Sequence, residues 1–414
     1  MYSVEQALAH ILAALTPLPA ETLPLAGAHI GRILAADIGS DDDLPPFDNS
    51  SMDGYALIAA DTADAGRETP VTLRVAADIP AGTYSERRIG RGEAARIMTG
   101  APLPPGADAV IPVEETDTPP AQHAPIGEPP PETVQIYSKA DAGAYVRRRG
   151  EDMRAGQIVL RAGRRLRPAD IGALAGMGAA AVPLVRQPRV AILSTGDELL
   201  TPDQPLTPGK IRDMNGYALA AAVIALGGVA LQLPIARDTV AAVRARLEDA
   251  RAAYADLILS SAGVSVGAFD AVKTAVEADG TLNFWKVNIR PGKPLAFGLV
   301  GGVPFFGLPG NPVSALVTFD VFVRPALLMM MGLPAETGMS EAELGERMTS
   351  DGRRTYARVR LERREGRLVA YSTGSQSSGV ITSLVAADGL LVLPEGVTDA
   401  PVGAVFPVRL FDAG

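Results

Sequence analysis

The chain has 414 residues, of which 47% are hydrophobic and 21% charged, a composition that predicts a globular protein of roughly two to four packed units. Cysteine is absent, which excludes disulfides, thiolate metal sites and cysteine nucleophiles, and the three histidines leave little for zinc, so any metal site should use carboxylates and favour a hard cation such as magnesium. The net charge of −9 argues against binding to nucleic acid or to an anionic membrane surface.

The sequence shows no sign of membrane insertion or secretion. No apolar run reaches the ~20 residues that a membrane-spanning helix needs. Residues 1–5 carry neither the basic start nor the apolar run of a secretory signal. A cytoplasmic location is therefore expected.

The first predicted element is an amphipathic helix. Ser3 and Gln6 form a Ser-x-x-Gln capping pattern, and apolar residues from Val4 to Leu15 then recur at helical spacing. Residues 168–176 are also compatible with a helix, and they follow an arginine-rich segment.

The stretch between these two helices differs in character. Residues 47–139 contain short β-rich runs at 71–76, 109–113 and 133–137, which are broken by glycine and proline clusters. Residues 118–131 are rich in proline and are interpreted as a surface loop. The sequence therefore predicts a β domain (47–139) inserted into an elongated mixed domain that is formed by residues 1–46 and 140–182.

The third predicted domain spans residues 183–330 and is of the α/β type. Three apolar runs alternate with three helices, a pattern typical of a parallel, doubly wound sheet. The runs span 190–193, 229–235 and 257–260, the helices span 215–226, 239–252 and 269–278, and further strands are predicted at 284–287, 295–300 and 303–306. A long apolar helix begins near Pro312.

The last predicted domain, residues 331–414, is a small β-barrel. Strands at 356–361 and 368–371 flank a turn at Glu365 and Gly366, and two further strands are predicted at 390–393 and 405–410.

Polar loops follow the predicted strands of the α/β domain, at the edge where ligands bind in such sheets. After the first strand, Ser194, Thr195 and Gly196 can approach a phosphate, and Asp197 and Glu198 can take a cation or a ribose. For this loop alone, a polar turn with solvated acids is an equal alternative.

Two more loops join a strand to a helix start and are suited to hold an anion. The first presents Ser261, Gly263, Ser265 and Gly267. Asp270 follows on the first helical turn, where it is either part of a site or an ordinary acid that complements the helix dipole. The second loop presents Asn311 and Ser314, and three such loops at one sheet edge favour a ligand site.

A segment after the third helix carries cationic residues on one face. Lys286, Asn288 and Arg290 alternate with apolar residues, so that their face is expected to meet solvent or an anion, and Lys293 follows closely. Trp285, the only tryptophan, is interpreted as core packing rather than as a stacking platform.

Three motifs of the first half are less specific. The proline-bound loops at 45–56 and 98–108 are, taken singly, more often structural turns. Arginines 147–149 stand beside Glu151 and Asp152, where a solvated charge run is the plain alternative and a nucleic-acid patch is disfavoured by the acidic total.

Taken together and in order, the motifs resemble those of the MoeA family of molybdopterin molybdenumtransferases, which is related to the C-terminal domain of gephyrin. The motifs are NSSMDGYA, RIMTGAPLPPGADAVIPVE, RRRGEDM, ILSTGDEL, IRDMNGYAL, SSAGVSVGAFD, FWKVNIRPGKP and GLPGNPVSA. The resemblance implies a homodimer of four-part subunits with an α/β domain of the molybdopterin-binding type. It further implies that molybdate is inserted into adenylyl-molybdopterin with the help of Mg²⁺, and that adenosine monophosphate leaves.

The resemblance also assigns roles to individual positions. The catalytic positions it implies are Asp53, Thr99, Asp152, Glu198, Asp238 and Asp270, of which Glu198, Asp238 and Asp270 are candidates for magnesium or pterin contacts. Lys286, Arg290 and Ser314 are assigned to the phosphates and molybdate. The wider set for substrate and anion binding is Ser194, Thr195, Gly196, Ser261, Gly263, Ser265, Gly267, Lys293 and Asn311. Ala262 stands where the family often shows a second glycine, and Arg290 where a lysine is also seen.

Two other functions are compatible with parts of the sequence. A molybdopterin adenylyltransferase has a similar α/β domain but needs no additional halves, and a gephyrin-like scaffold would bind peptides in place of substrate. The retained acids and cations favour the enzyme. Its expected partners are the molybdopterin adenylyltransferase and cofactor-accepting molybdoenzymes or chaperones.

Overall fold

The structure, a computed structural model, describes residues 1–118, 129–261, 269–335 and 338–411. The predicted site residues Gly263, Ser265 and Gly267 lie outside the described residues, as do the side chain of Asp270 and most of the predicted loop 118–131. The chain forms two compact units. The larger unit comprises Met1–Glu21, Gly31–Ile33 and Pro183–Gly414, and the smaller unit comprises Thr22–Ile30 and Leu34–Val182.

The smaller unit is built around a five-stranded sheet. In spatial order its strands are Ala109–Pro112, Gly54–Leu57, Glu93–Ile97, Val71–Ile79 and Thr133–Ile136. Neighbouring strands are antiparallel except for the parallel third and fourth. Because successive side chains point to opposite faces, Tyr55 and Leu57 pack into one core while Ala56 packs into another. The three predicted strands are confirmed, and Gly54–Leu57 and Glu93–Ile97 are two further strands that the sequence analysis did not predict.

Short elements complete the smaller unit. Helix Pro168–Gly176 has the predicted bounds and begins with a proline, which has no N–H that would need a partner. The Asp170 carboxylate caps its N-terminus by accepting the Arg167 N–H. The remaining elements are strands Ile38–Gly39, Asn49–Ser50, Val146–Arg147 and Ile158–Leu160, and 3₁₀ helices Gly27–His29, Ala59–Thr62 and Val113–Glu115. Strands Ala20–Pro24 and Ala181–Val185 lie where the chain passes from one unit to the other.

The α/β part of the larger unit contains a six-stranded sheet. Its spatial order is Val229–Gln232, Arg189–Ser194, Leu257–Ser261, Val303–Leu308, Pro294–Val300 and Gly280–Lys286. The first four strands are parallel, as predicted. The last two strands, for which no direction was predicted, are antiparallel to their neighbours, and no helix lies in the connections between them.

Helices cover both faces of this sheet. Met214–Ala225 and Val4–Ala13 pack on one face, and Val240–Ala252 and Phe269–Glu277 on the other. In the opening helix Val4, Ala7 and Ile11 form the buried stripe, and Ser3 and Gln6 form the predicted capping box. Small additional strand pairs are Leu199–Leu200 with Ile211–Arg212, and Met348–Thr349 with Asp399–Ala400.

The long apolar helix Pro312–Met330 is part of the core. It comprises the α-helices Pro312–Thr318 and Arg324–Met330, joined by a π-helical turn at Phe319–Val323. Its 19 residues and mean hydropathy of 1.7 would suffice to cross a membrane, but 78% of its apolar stretch is buried inside the protein. This burial is what a core helix shows.

The C-terminal part of the larger unit is a closed five-stranded barrel. Around the barrel the strands are Arg354–Arg364, Arg367–Ser372, Ser340–Leu344, Val405–Leu410 and Gly389–Leu393, which pairs with the first again. The predicted hairpin turn is confirmed, with positive φ angles of 48° at Glu365 and 81° at Gly366. Strand Ile289–Arg290 of the α/β part pairs with Arg354–Arg364 and so extends the barrel sheet. Along the chain, the short helix Thr382–Val385 follows strand Arg367–Ser372 and precedes strand Gly389–Leu393.

Candidate functional site

Hydroxyl groups meet at the carboxyl ends of the central parallel strands. Ser194 and Ser261 end neighbouring strands in register, and their Oγ atoms are 3.3 Å apart. The hydroxyl of the next residue, Thr195, is buried and finds no hydrogen-bond partner among the described residues. A buried hydroxyl without a partner is costly, so this edge is suited to receive a polar ligand.

Acidic residues lie beside these hydroxyls. Burial raises the pKa of Asp238, and the negative charges of Glu198 and Asp197 raise it further. A hydrogen bond from the Asp197 backbone lowers the pKa but does not cancel the rise. The Oδ1 atom of Asp238 is buried without a partner in the described part of the chain. At Gly196, where φ is 154°, a Cβ atom would lie 2.6 Å from the Glu198 Oε2 atom, so glycine allows this carboxylate to fold against the loop.

These acids suit a cation, although they do not form a complete cage. Carboxylate oxygens are the ligands that Mg²⁺ prefers, and a cation would relieve the repulsion that raises the pKa of Asp238. Within the described ranges, no group of three acidic or histidine side chains is placed to hold a metal. Asp270 occupies the second position of helix Phe269–Glu277.

The predicted cationic face is present. Val287 and Ile289 are fully buried, whereas Lys286 is exposed and Asn288 and Arg290 are half-buried. The alternation therefore directs the polar side chains away from the core.

Trp285 is partly buried against the core, as its interpretation required. Its ring centroid lies 5.5 Å from that of Tyr2, 5.9 Å from that of His10 and 5.9 Å from that of Phe297.

A turn at Gly292 brings this cationic segment onto the third predicted loop, which carries Asn311 and Ser314. Gly292 has a φ of 107°, and a Cβ there would lie 2.4 Å from Thr318 Cγ2 and 3.7 Å from the Ser314 carbonyl oxygen. The loop that carries Arg290 and Lys293 thus packs closely on helix Pro312–Thr318. The Asn215 amide fixes the start of that helix by donating to the Gly310 carbonyl at 2.8 Å.

Arg290 also lines a cavity that the sequence reading did not anticipate. Its volume is about 260 Å³, and it is lined by Arg290, Pro291, Glu346, Arg347, Met348, Thr349, Thr355, Ala357, Arg358, Ser372, Gln376 and Leu393. Arg358 is only 2% exposed. Its guanidinium donates to Ser383 Oγ at 3.2 Å and to the carbonyls of Ser377 at 3.2 Å and Ser375 at 3.4 Å.

Arg358 is a buried cation without a carboxylate. No acidic group of the described chain lies within salt-bridge distance of it, and burial together with the charge of Arg290 lowers its pKa to about 10. Arg290 itself has Asp351 at 3.9 Å. Such a pair of guanidinium groups is suited to bind an anion.

The sequence signal for Arg358 is weak. Alternation along strand Arg354–Arg364 directs Ala357 and Val359 into the barrel core and Arg358 outward, where a charged residue is ordinary. This outward position is buried because the connection that carries Ser375, Ser377 and Ser383 lies against the guanidinium.

In the smaller unit, two predicted residues contact each other. The Asp53 carboxylate accepts the backbone N–H of Thr99 at 2.7 Å and its hydroxyl at 2.9 Å. Asp152 is exposed, and its backbone N–H donates to the Leu44 carbonyl at 3.0 Å.

The neighbouring arginines are paired within the smaller unit. Arg148 donates to Asp48 at 2.7 Å and Arg149 to Asp43 at 2.6 Å. The carboxylates of Asp43 and Asp48 each accept a backbone N–H as well as the arginine side chain, and both contacts lower their pKa. Arg148 and Arg149 therefore belong to a surface charge network, which agrees with the solvated charge run considered in the sequence analysis.

Fold and site together define a class: an inserted β domain, an α/β domain with polar loops at its carboxyl edge, and a terminal β-barrel. Three family models match the chain, described as the MoeA N-terminal region (domain I and II) over residues 2–178, a probable molybdopterin binding domain over 191–329, and the MoeA C-terminal region (domain IV) over 341–411. The chain belongs to the MoeA family, which confirms the resemblance and the predicted fold class.

Named relatives match the chain over nearly its whole length. A protein named molybdopterin molybdenumtransferase 2 from Mycobacterium tuberculosis is 42% identical over 395 residues, which are 94% of either chain. The molybdopterin molybdenumtransferase of Bacillus subtilis is 35% identical over 92% of this chain and 87% of its own. The crystal structure of a molybdopterin biosynthesis MoeA protein from Pyrococcus horikoshii is 35% identical, covers 100% of both chains and superposes with a TM-score of 0.81.

Proposed function

We propose that this protein is a molybdopterin molybdenumtransferase that inserts molybdate into adenylyl-molybdopterin and releases adenosine monophosphate. Family membership supports the general activity. The observation that carries the proposal is the cavity that Arg290, Arg347 and Arg358 line together with Glu346. Arg290 and Arg347 have Asp351 and Asp399 as partners, whereas the buried Arg358 has no carboxylate partner among the described residues.

The cavity fits a small oxyanion in size and charge. Its volume of about 260 Å³ suits a tetrahedral dianion with a few waters better than it suits a nucleotide. Arg358 stays protonated at neutral pH because its pKa, although lowered, is about 10. A dianion would replace the repulsion between Arg290 and Arg358 with two charge-assisted contacts, so the cavity favours molybdate over neutral ligands.

The hydroxyl edge and the acids suit the phosphate end of the other substrate. Ser194, Ser261 and Thr195 offer side-chain hydroxyls there for phosphate oxygens. Magnesium commonly binds through one or two carboxylates plus substrate phosphates, which fits Glu198 and Asp238 as its protein ligands, with Asp270 as a third candidate. When bound, the ion supplies positive charge to the phosphate group that is cleaved.

In this proposal the protein acts by binding and orientation. Arg358 is held by three hydrogen bonds, so it presents its free N–H groups to molybdate in one geometry. Cysteine is absent, so no thiolate of the protein competes with the dithiolate of molybdopterin for the metal. Homodimer formation, a cytoplasmic location and delivery of the product to cofactor-accepting molybdoenzymes or chaperones are further parts of the proposal.

The test is molybdate-dependent release of adenosine monophosphate from purified adenylyl-molybdopterin, with and without Mg²⁺. The wild type is compared with Arg358→Gln and with Arg360→Gln, a control on the same strand whose side chain is exposed. We expect Arg358→Gln to lower kcat/KM for molybdate by about 100-fold or more, since a charge-assisted contact to a buried cation is lost, and Arg360→Gln to remain near the wild type.

The alternatives give different results in the same assay. Formation of adenylyl-molybdopterin from ATP and molybdopterin would identify an adenylyltransferase. A folded wild type that neither releases nor forms the nucleotide adduct would overturn the proposal and favour a scaffold, to be checked with receptor-derived peptides.

A further inference from the structure

The segment that carries Lys286 and Arg290 takes its backbone hydrogen bonds from distant parts of the chain. It leaves the edge strand of the six-stranded sheet at Lys286 and joins the barrel sheet at Ile289–Arg290. Between these two points it belongs to neither sheet. Because buried or half-buried backbone groups need partners, other residues must supply them here.

Tyr2 supplies two of these partners. Its backbone N–H donates to the Lys286 carbonyl at 3.0 Å, and its carbonyl accepts the Asn288 N–H at 2.9 Å. Tyr2 thereby forms a parallel β-bridge with Val287. The Tyr2 ring packs beside Trp285 and His10, which holds the bridge at the sheet edge.

The barrel supplies partners on the other side. The Arg354 N–H donates to the Asn288 carbonyl at 3.2 Å, and the Arg353 guanidinium donates to the Ile289 carbonyl at 3.0 Å. The Arg354 side chain pairs with Glu5, on the first turn of the helix that follows Tyr2. Residues 1–5, the cationic segment and the barrel strand therefore form one connected assembly.

We propose that Tyr2 is a positioning residue for oxyanion binding, an inference that rests on the proposed function. Its two backbone hydrogen bonds hold the cationic segment where Arg290 faces Arg358. Without the Tyr2 N–H, the Lys286 carbonyl must turn to water, and the segment gains freedom that it loses again when the anion binds. Tyr2 thus acts on molybdate through Lys286 and Arg290 and does not touch it.

The experiment compares Tyr2→Pro with Tyr2→Ala in the full-length protein. Proline removes the N–H and retains the carbonyl, whereas alanine removes the ring and retains both backbone hydrogen bonds, so the difference between the two variants isolates the N–H group. Molybdate binding is measured by calorimetric titration, and KM for molybdate and for adenylyl-molybdopterin are measured separately. Thermal unfolding shows that each variant is folded.

We expect Tyr2→Pro to weaken molybdate binding and to raise KM for molybdate by about fivefold to tenfold, the effect of roughly one hydrogen bond. The KM for adenylyl-molybdopterin and kcat should change less than twofold, a split that a loss of folded protein would not produce. Tyr2→Ala should not reproduce the effect.

The outcomes separate the two proposals. Equal molybdate affinities for Tyr2→Pro and Tyr2→Ala, in a wild type that binds molybdate, would overturn the positioning role and leave the proposed function intact. A folded wild type that does not bind molybdate would overturn the proposed function and, with it, this role.

Discussion

Arg358 lies buried beside Arg290, and the charge of Arg290 together with burial lowers the pKa of Arg358 to about 10. The guanidinium of Arg358 donates to two carbonyls and a hydroxyl, none of which carries a negative charge. A buried cation in this state contributes little to the stability of the fold. Under the proposed function, the anion that binds there would supply the missing negative charge.

The first prediction concerns the stability and the molybdate binding of an Arg358 variant. Arg358→Met should change the free energy of unfolding by no more than about 1 kcal/mol, because removal of a buried charge beside Arg290 offsets the loss of three hydrogen bonds. The same substitution should abolish measurable molybdate binding. Urea unfolding and calorimetric titration of one preparation check both parts. A loss of more than about 2 kcal/mol would instead show that the charge stabilises the fold.

A second prediction concerns the contact between Gly292 and Thr318. Gly292→Ala should reduce molybdate-dependent activity and cost about 1–3 kcal/mol, because the backbone has a φ of 107° and the new Cβ would lie 2.4 Å from Thr318 Cγ2. Adding Thr318→Ser, which removes that methyl group, should restore part of the activity. Gly302→Ala is the matched control, since it shares a positive φ of 83° but meets no atom within 4 Å.

The comparison of these variants separates the effect of backbone strain from the effect of displacing the loop that carries Arg290. If Gly302→Ala reduces activity as much as Gly292→Ala does, then backbone strain alone is responsible, and the packing of the loop on helix Pro312–Thr318 does not position Arg290.

A third prediction concerns the repulsion around Asp238. The pKa of Asp238 is raised from its usual value near 3.8. Above that pH the carboxyl is ionised in the unfolded chain, so its burial as an anion lowers the stability of the fold up to neutral pH. Asp238→Asn should therefore raise stability at pH 7 by up to about 1 kcal/mol and have less effect near pH 3.5. It should also raise the Mg²⁺ concentration needed for half-maximal activity. An unchanged Mg²⁺ requirement would remove Asp238 from the set of candidate ligands.

A fourth prediction tests a structural carboxylate in the smaller unit. A hydrogen bond from Arg164 lowers the pKa of buried Asp170, which also accepts the Arg167 N–H at 2.9 Å and pairs with Arg164 at 2.8 Å. A lowered pKa contributes stability above the unfolded value near 3.8, and this contribution is lost as the pH falls below it. Asp170→Asn should thus cost about 1–2 kcal/mol at pH 7 and little near pH 2, without changing molybdate affinity. Equal losses at both pH values would contradict an electrostatic origin.

Several elements were predictable because short-range rules decide them. Helix Pro168–Gly176 was expected with these bounds, since a proline at its start and an acid two residues later satisfy the requirements of a helix N-terminus. The hairpin at Glu365 and Gly366 was predicted from a turn between two apolar runs. The ordered motifs indicated the family, which the relatives and family models confirm.

The sequence could not show which distant residues meet. Strands Pro294–Val300 and Gly280–Lys286 have the apolar character of buried strands in either direction, so their antiparallel pairing depended on the connections that the fold adopts. The individual roles of the predicted site residues remain predictions, although the structure brings Asp53 to Thr99, Ser194 to Ser261, and Glu198 near Asp238.

The sequence alone therefore determined the local elements, their order and the family, because hydrophobic periodicity, turn residues and motifs act over a few positions. Only the tertiary structure decided that Arg358 is buried beside Arg290 and that Tyr2 holds the segment before it. The physical reason is that burial and hydrogen bonding of these groups depend on surfaces from remote parts of the chain. Arg358, on the outward face of a barrel strand, is buried because Ser375, Ser377 and Ser383 of a later connection lie against its guanidinium.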